Sequence, residues 1–448
     1  MLNQPPKKMT LPPIISRWFS DLDWKPLLLI IPPLSLLLFF SISLTPINPF
    51  STLSPLASRY FNKTTLITLP STSPTTNLSS TAHPSSPPVN PSDSTQWKDE
   101  LDRSRMAVCL VGGARRFELT GPSIVKNILQ VYPNSDLFLH SNFDNNAFKF
   151  SILKTVPRLA SVRIIIPQPL PETLPQLRVL TAANSPNGIQ GLLQYFNLVE
   201  GCLTMIQEYQ NLKGFKYDWI VRTRVDGYWN APLGPENFIP GHYLVPPGSS
   251  YGGLNDRLGI GDLNTSAVAL SRLSLVPQLD AAGFRQLNSE TAFKAQLTTL
   301  GVPFDTRRLP FCIVSDRKYD FPPSRFGVPV AALSSPGPLS GAKCRPCKPV
   351  CEGTCVGDIM TWLYKDWSWT NWENGTLKLC DARGDLEAGW EKIFDRDAGK
   401  ESASERKRIR GLNTKQCAVD FNEMKKRASM WDTPPVEEIC RLGLLGKN

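Results

Sequence analysis

Short apolar runs alternate with segments of helical spacing over residues 106–314 of this 448-residue chain. The run Met106–Val111 is apolar throughout, which is typical of a strand buried on both faces of a sheet. Apolar side chains recur at helical spacing from Ile189 to Ile206, which predicts an amphipathic helix. Further strands and helices are predicted at 136–141, 161–166, 217–221, 242–246, 258–260, 266–276, 289–300 and 311–314. This alternation favours an α/β fold with a mostly parallel sheet flanked by helices.

One longer apolar stretch, Pro26 to Thr45, carries no charge and has about the length needed to cross a bilayer. A proline pair inside it would kink such a helix. A cleaved signal peptide is the alternative, but a long polar leader precedes the stretch. Positive charges are commoner before the stretch than just after it, which favours a cytosolic tail at 1–25. The sequence therefore predicts a single-pass type II membrane anchor at 26–45, with the rest of the chain in a lumen.

The next segment, 46–104, is dominated for most of its length by Ser, Thr, Pro and Asn. Such a composition buries too little apolar surface to offset the entropy lost on ordering, so we expect a disordered stem here. Acceptor sequons for N-linked glycans begin at Asn62 and Asn77 in this stem, and at Asn264 and Asn374 beyond it. These sequons agree with a lumenal location.

Seven of the ten cysteines lie beyond residue 340. Four of them follow the spacing C-x2-C-x3-C-x3-C from Cys344, which in a cytosolic protein would suggest a zinc-bound module. No histidine is nearby, and thiols oxidise in a lumen, so disulfides are the favoured interpretation and zinc the alternative. We assign 105–335 to the α/β domain and 336–448 to a Cys-rich, mainly helical C-terminal region.

The formal net charge of +10 arises largely from basic residues between Lys400 and Arg427. No nucleic-acid-binding motif accompanies them, so we expect no nucleic-acid partner. A solvated helix face is the favoured interpretation, and contact with an acidic polymer or a membrane surface is the alternative. The three histidines do not support a Ser-His-Asp constellation, and neither a GxxxxGK[ST] loop nor an HExxH motif occurs.

The first candidate site residues are Arg222, Arg224 and Asp226, which directly follow the apolar run Trp219–Val221. Since side chains alternate along a strand, these ionic groups are expected on one face at the strand's C-terminal end, where ligands of open α/β sheets bind. Burying such groups is costly unless they meet a phosphate, a metal or each other. A nucleotide-sugar diphosphate with a divalent cation would satisfy all three. An internal Arg–Asp ion pair is the structural alternative.

A second candidate follows the strand 106–111 and includes Gly112, Gly113 and Arg115. The glycines allow a ligand to approach the backbone closely, and arginine offers charge for a phosphate. A glycine pair after a strand is also common where no ligand binds. Thr120 is predicted to cap a helix that continues to about residue 131.

Two further carboxylates are candidates for chemistry. Asp256 lies in the glycine-containing run 255–262 and could bind a sugar hydroxyl or help to hold a metal, although Asn-Asp is also ordinary turn chemistry. Glu290 opens the predicted helix 289–300 and could deprotonate an acceptor hydroxyl if burial raised its pKa. The alternative for Glu290 is a structural one, in which Asn288 or Ser289 caps the helix and Glu290 complements its dipole.

Several of these pieces together resemble a group of uncharacterised glycosyltransferase-like proteins, which includes single-pass plant proteins of the secretory pathway. The matching motifs occur in order over about half of the chain, as VCLVGGARRFE at 108–118, DLFLHSNFD at 136–144, YDWIVRTRVDGYW at 217–229, NDRLGIGD at 255–262 and NSETAFKAQLTTLGVPF at 288–304. The resemblance implies a GT-A-like fold that holds a nucleotide sugar at the C-terminal edge of its sheet. In such a fold an acidic motif usually holds the diphosphate through Mn²⁺ or Mg²⁺.

The resemblance also assigns roles to the candidate residues. Asp226 becomes the metal or ribose-diphosphate ligand, while Arg222 and Arg224 neutralise phosphate or fix Asp226. The residues of the nucleotide pocket are Gly112, Gly113 and Arg115. The acceptor is faced by Asp256 and Glu290, of which Glu290 is the general base if the reaction inverts.

The expected function is that of a Golgi membrane glycosyltransferase, which moves a sugar from a nucleotide-sugar donor to a hydroxyl of a glycan or glycoprotein acceptor. The chain differs from the usual pattern because it has Arg-x-Arg-x-Asp in place of Asp-x-Asp. A single carboxylate is a poor cation site unless substrate phosphates complete it. The alternative is a non-catalytic lumenal carbohydrate-binding or scaffolding protein with the same fold.

Overall fold

The computed structural model describes residues 91–183, 185, 187–318, 330–339, 342–361 and 376–444, all of which belong to one compact unit. Across these ranges, we find no helix with both the length and the apolar character to span a bilayer. The predicted anchor at 26–45 and the predicted stem up to residue 90 lie outside the described residues. The last part of the predicted stem forms a helix, Pro91–Arg103.

The described residues contain twelve strands: β1 Met106–Val111, β2 Ser135–Asn142, β3 Leu159–Ile165, β4 Trp219–Arg224, β5 Gly227–Trp229, β6 Tyr243–Val245, β7 Leu258–Asp262, β8 Phe304–Thr306, β9 Phe311–Val314, β10 Val330–Ala332, β11 Ala342–Arg345 and β12 Met430–Asp432. The α-helices are α1 Pro91–Arg103, α2 Phe117–Ile124, α3 Leu174–Val179, α4 Gly188–Lys213, α5 Leu263–Leu270, α6 Val276–Ala281, α7 Ser289–Thr299, α8 Thr354–Thr361, α9 Trp390–Asp397, α10 Gly399–Arg410, α11 Thr414–Arg427 and α12 Val436–Leu444. A π-helical turn, Val125–Leu129, continues α2, and Ala147–Thr155 is a 3-10 helix.

Eight strands form the main sheet in the order β12-β3-β2-β1-β4-β7-β6-β8. Five of its seven pairings are parallel, and only the two that involve β7 are antiparallel. The mostly parallel sheet flanked by helices that the alternating pattern predicts is therefore confirmed. Because β1, β2 and β4 are parallel neighbours, their C-terminal ends meet at one edge of the sheet.

Both faces of the central strand β1 are covered, and all six of its residues are fully buried. Val108 and Leu110 pack into the apolar cluster on one face, whereas Cys109 and Val111 belong to the cluster on the other. Helix α4 covers the second face with side chains such as Met205 and Ile206. This two-sided burial explains why β1 has no polar position.

The C-terminal helices cover the first face of the same sheet. Phe421 and Met424 of α11 and Ile439 of α12 lie in one apolar cluster with Val108. Strand β12 extends the sheet by pairing with β3, with Met430 opposite Ser161. The region predicted to begin at residue 336 thus shares the core of the α/β domain and contributes a strand to its sheet.

A second, four-stranded sheet has the order β10-β11-β9-β5. Its strand β5 begins one residue after Asp226, so the end of β4 joins the two sheets. Within this small sheet Lys343 of β11 lies beside Ile313 of β9. The small sheet therefore brings a residue of the Cys-rich region close to the C-terminal edge of the main sheet.

All ten cysteines form disulfides, which confirms the disulfide interpretation of the sequence. Two of the five bonds tie together parts of the chain that are important for the site, because Cys109–Cys202 joins β1 to α4 and Cys312–Cys344 joins β9 to β11. The other three are Cys347–Cys380, Cys351–Cys355 and Cys417–Cys440. A cysteine held in a disulfide has no thiolate to offer a zinc ion.

Two predicted helices differ from those observed. Helix α2 begins at Phe117 and not at Thr120, because the Thr120 hydroxyl donates a buried hydrogen bond to the Val225 carbonyl, 2.7 Å away, and does not cap the helix. The helix predicted at 266–276 ends early, because α5 stops at Leu270 and α6 begins only at Val276. Helix α5 begins early because the Asp262 carboxylate accepts a hydrogen bond from the Thr265 backbone N–H at 2.9 Å and caps it.

Candidate functional site

A cavity of about 370 Å³ opens at the C-terminal ends of β1, β2 and β4. The residues that line it include five of the predicted site residues: Gly112, Gly113, Arg115, Arg224 and Asp226. Helix α4 closes the opposite wall with polar side chains such as Gln194 and Tyr195. Two separate sequence motifs and helix α4 therefore meet at the edge of the sheet where α/β proteins bind ligands.

The two glycines shape the floor of this cavity. Gly112 has a φ of +116°, a conformation that side-chain-bearing residues rarely adopt, and its N–H donates to the His140 carbonyl. A Cβ on Gly113 would lie 2.9 Å from a carboxylate oxygen of Asp144. The glycine pair therefore has a structural role, because it turns the chain tightly from β1 into the loop before α2. It also leaves backbone atoms facing the cavity.

Arg224 and Asp226 form a two-point ion pair in the cavity wall. Arg224 donates through Nε and Nη2 to the two oxygens of Asp226, at 2.8 and 2.7 Å. Arg115 lies further away, at 3.8 Å from Asp226, and is mostly exposed. Burial would raise the pKa of Asp226, but the charges of Arg224, Lys343 and Arg115 outweigh it and hold that pKa at about 2. Asp226 is therefore ionised, and much of its capacity to accept hydrogen bonds is used by Arg224.

Arg222 shares the strand with Arg224 but lies behind the cavity wall. Its side chain is almost fully buried, and Nη1 donates to the Tyr195 hydroxyl at 3.1 Å. That hydroxyl donates in turn to the Asp256 carbonyl at 2.8 Å. Arg222 thus positions Tyr195, whereas Arg224 and Asp226 face the open space. Its Nε has no hydrogen-bond partner among the described residues.

A second cavity, of about 310 Å³, adjoins the first across Tyr195. It lies between α4, the loop before β7 and the start of α7, and Glu290 and Tyr251 line it. Burial and the nearby charge of Asp256 raise the pKa of Glu290 to about 7, although Arg257, 4.0 Å from Glu290, opposes the shift. The Glu290 carboxyl can therefore exchange a proton near neutral pH.

Helix α7 places Glu290 through a regular cap. The Asn288 side chain accepts from the Thr291 N–H, and the Thr291 hydroxyl accepts from the Asn288 N–H. Asn288 is therefore the cap residue, as the structural alternative allowed when it named Asn288 or Ser289. Because the cap is made by its neighbours, the Glu290 carboxyl is not needed for capping.

Asp256 does not line either cavity. It is buried, accepts a hydrogen bond from the Ser289 hydroxyl and lies 4.0 Å from the guanidinium of Arg272. Arg272 itself lies over the rings of Phe196 and Phe293, at 4.6 Å from each centroid. Asp256 thus serves as a buried counter-charge, and its influence on the second cavity is exerted through the pKa of Glu290.

A third, smaller cavity of about 120 Å³ lies on the other side of Asp226 and shares Arg115, Arg224 and Arg317 with the first. Within the described ranges, the two cavities together are lined by six basic side chains and two carboxylates. The cations are Arg115, Arg116, Arg224, Arg257, Arg317 and Lys343, and the carboxylates are Asp226 and Asp316. The site is thus strongly positive and suited to an anion with several charges.

Several residues of this site were not predicted from the sequence, among them Tyr195, Lys343 and Arg317. Tyr195 lies within the amphipathic pattern of α4, and its role as the shared wall depends on tertiary contacts. Lys343 and Arg317 come from the region around the cysteine cluster, far along the chain from Asp226. The sequence gives one local hint for Lys343, which is its position directly before a cysteine in a short strand.

The residues around Asp226 offer no preformed cation site. Arg224 bonds to both carboxylate oxygens, and further cations surround the pair. Elsewhere in the described part of the chain, no three His, Cys, Asp or Glu side chains come together in a way that could hold a metal ion. The Mn²⁺ or Mg²⁺ implied by the resemblance stays a prediction, and it would need substrate phosphates for most of its ligands.

The fold and the site define an α/β protein with a cationic cavity at the C-terminal edge of a mostly parallel sheet. Residues 101–446 match the profile of a family described as a domain of unknown function, DUF7796. Since this match covers most of the chain, the protein belongs to that family. A comparison with curated proteins finds no match.

Proposed function

We propose that the protein is a membrane-anchored, lumenal glycosyltransferase with a GT-A-like fold. It would move a sugar from a nucleotide-sugar donor to a hydroxyl group of a glycan or glycoprotein acceptor. The predicted type II anchor and stem would hold the α/β unit on the lumenal side of the Golgi membrane. The five disulfides support an oxidising compartment, because such bonds persist mainly outside the cytosol.

The observation that carries this proposal is the pair of cavities that adjoin across Tyr195. One cavity is cationic and suits the diphosphate of a donor, and the other presents a carboxyl group, Glu290, whose pKa is about 7. Group transfer needs these two features side by side, because charge develops on the leaving group while the acceptor loses a proton. A structural ion-pair network alone would not need an open space on both sides of the tyrosine.

The proposed step is a displacement at the anomeric carbon of the donor sugar. The acceptor oxygen forms a bond to that carbon, and the bond from the carbon to the diphosphate oxygen breaks with its electron pair on the leaving nucleoside diphosphate. In the inverting route, Glu290 takes the proton of the acceptor hydroxyl. Arg115 and Arg224 stabilise the charge on the departing diphosphate. No step in this scheme depends on a bound metal ion.

The aromatic and hydroxyl groups around Glu290 support the assignment of the second cavity to the acceptor. Tyr251 is 45 % exposed at its rim and can stack on a sugar ring, and the hydroxyl groups of Thr181 and Ser185 line the same cavity. This cavity is also less positive than its neighbour, since Arg257 is the one basic residue in its lining among the residues that the structure describes. A neutral glycan fits these properties better than a second nucleotide does.

A screen of nucleotide sugars tests the proposal on the full-length chain, purified in mild detergent without reductant. We expect one donor or its nucleoside diphosphate to raise the melting temperature, and that donor to be hydrolysed or transferred. Glu290→Gln should keep donor binding and lose at least about tenfold in transfer rate, since a general base contributes roughly 10²–10⁴-fold. Glu423→Gln, which changes an exposed glutamate on α11, is the matched control.

The second candidate function is that of a non-catalytic, carbohydrate-binding lumenal protein. It is favoured by one specific observation, because the acidic residue at the end of β4 is engaged by Arg224 and is not presented as an open metal ligand. Specific binding to a glycan, with neither transfer nor hydrolysis of any donor in the panel, would favour this candidate over the enzyme.

A further inference from the structure

Lys343 reaches the ligand site from the cysteine-rich part of the chain, where it directly precedes Cys344. Strand β11 lies beside β9, and the bond between Cys344 and Cys312 fixes the two strands to each other. Side chains alternate along a strand, so Cys344 packs into an apolar cluster while Lys343 lines the 120 Å³ cavity on the other face. The disulfide therefore holds the lysine at a defined place beside Asp226.

The surroundings of Lys343 contain more positive than negative charge. Within the described part of the chain, neither Lys343 nor Arg317 makes an ion pair, and Asp226 is already engaged by Arg224. Burial, and then the charges of Arg257 and Arg224, lower the pKa of Lys343 well below its usual value. Protonating a half-buried lysine among arginines is costly unless an anion joins it, so a bound anion would favour the charged form of Lys343.

The positions of these cations point to an anion with two linked charged groups. The 120 Å³ cavity beside Lys343 and the 370 Å³ cavity above Gly112 share three arginines, Arg115, Arg224 and Arg317, and one carboxylate, Asp226, which Arg224 neutralises. One phosphate would occupy the small cavity, and a second would extend into the larger one. One arginine can donate two parallel hydrogen bonds to phosphate oxygens, and a protonated lysine adds a compact positive charge.

We propose that Lys343 and Arg317 complete, with Arg115 and Arg224, a diphosphate-binding clamp that works without a divalent cation. The ligand class is a diphosphate, either free or as part of a nucleotide. This inference rests on the proposed function in one respect, since it names the groups that would hold the donor's diphosphate. The Cys-rich region then supplies part of the binding site and does more than stabilise the fold.

Calorimetric binding of inorganic pyrophosphate to the full-length chain tests the clamp, in buffer with excess EDTA at fixed ionic strength. We expect measurable binding without any cation. Lys343→Gln should weaken it by roughly tenfold or more, because a hydrogen bond to a charged group contributes about 1.5–3 kcal/mol. Lys343→Arg should restore most of the affinity, and Arg317→Gln should weaken binding in the same direction. Lys392→Gln, an exposed lysine on α9, is the matched control.

Two outcomes would overturn the clamp. One is an unchanged dissociation constant in both Lys343→Gln and Arg317→Gln, and the other is binding that appears only when Mn²⁺ or Mg²⁺ is added. Parallel titrations with UDP, GDP and uridine separate the clamp from the proposed function. Pyrophosphate binding without nucleotide binding supports the clamp and counts against a nucleotide-sugar donor. Nucleotide binding that requires a cation and is unchanged in Lys343→Gln would overturn the clamp and support a nucleotide-sugar donor.

Discussion

Arg224 and Asp226, two positions apart at the end of β4, hold each other through two hydrogen bonds of 2.8 and 2.7 Å. The pair lies in the wall between two cavities and belongs to the lining of both. Both alternatives weighed for this motif therefore describe part of it, because the residues form an ion pair and also face open space. In this geometry Asp226 fixes the orientation of the Arg224 guanidinium in the cavity wall.

We expect Asp226→Asn to weaken the binding of a nucleoside diphosphate by about tenfold and to lower the free energy of unfolding by about 3–5 kcal/mol. The amide would set one N–H group against the guanidinium, so Arg224 would lose its fixed orientation. Titration calorimetry and urea denaturation measure the two effects. Asp99→Asn, in an exposed position on α1, should change neither.

The stability effect of Asp226 should also depend on pH. Its pKa is about 2 in the folded protein against an ordinary value of 3.8, so its contribution is present above about pH 4 and is lost as the pH falls toward 2. The difference in unfolding free energy between the wild type and Asp226→Asn should therefore shrink in acid. A difference that stays constant from pH 6 to pH 2.5 would contradict the assignment of a strong ion pair.

The contribution of Glu290 to stability should depend on pH in the opposite direction. Burial and the charge of Asp256 raise its pKa to about 7 from 4.5, so its contribution to stability is full below about pH 4.5 and is lost as the pH rises through 7. Glu290→Gln removes this loss, and the variant should gain on the order of 2 kcal/mol relative to the wild type between pH 5 and pH 8. Urea denaturation at several pH values measures this gain.

The control for this second pH effect is Glu423→Gln, because Glu423 is exposed on α11. Its stability should follow that of the wild type at every pH. If Glu290→Gln also followed the wild type, Glu290 would be an ordinary carboxylate, and its role as a proton acceptor would lose its physical basis.

Much of the fold could be predicted from local patterns. The buried run Met106–Val111 and the strand Phe311–Val314 have the predicted ends, because continuous apolar character is a strong signal. The predicted start of α2 at Thr120 was wrong, because the Thr120 hydroxyl donates a hydrogen bond to the Val225 carbonyl, a long-range contact that no local pattern indicates. Element type followed from periodicity, and boundaries depended on tertiary contacts.

For the candidate site too, local patterns were predictable from the sequence and tertiary contacts were not. Period-two alternation placed Arg222 and Arg224 on one strand, but it could not show that Tyr195, 27 residues before Arg222, closes over the first of them. Lys343 was missed for a stronger reason, since its approach to Asp226 depends on the register of a second sheet and on a disulfide. Such long-range placement has no signature in a single sequence.

Gly112→Ala tests the backbone turn that forms the cavity floor. The native φ of +116° is strained for alanine, so we expect a loss of about 1–3 kcal/mol in the free energy of unfolding and weaker pyrophosphate binding. Gly384→Ala is the matched control, since a Cβ there meets nothing within 4 Å and the φ is ordinary. Equal effects of the two substitutions would show that Gly112 has no special conformational role.

The disulfide between Cys109 and Cys202 should contribute more to stability than the one between Cys351 and Cys355. The first joins residues 93 apart in the chain and the second residues only 4 apart, so the first restricts the unfolded chain more. Loop entropy predicts losses of about 4–5 and about 2 kcal/mol when each pair is replaced by alanine. Urea denaturation without reductant measures both variants.

The first bond also ties β1 to α4, and these elements carry the glycine pair and Tyr195 on opposite walls of the larger cavity. The Cys109→Ala/Cys202→Ala variant should therefore bind pyrophosphate more weakly even where it is fully folded, because the two walls lose a covalent link. The Cys351→Ala/Cys355→Ala variant should bind as the wild type does, since that bond joins residues only 4 apart and links neither β1 nor α4. If both variants lost affinity equally, general destabilisation would explain the result, and the disulfide would have no specific role in holding the site together.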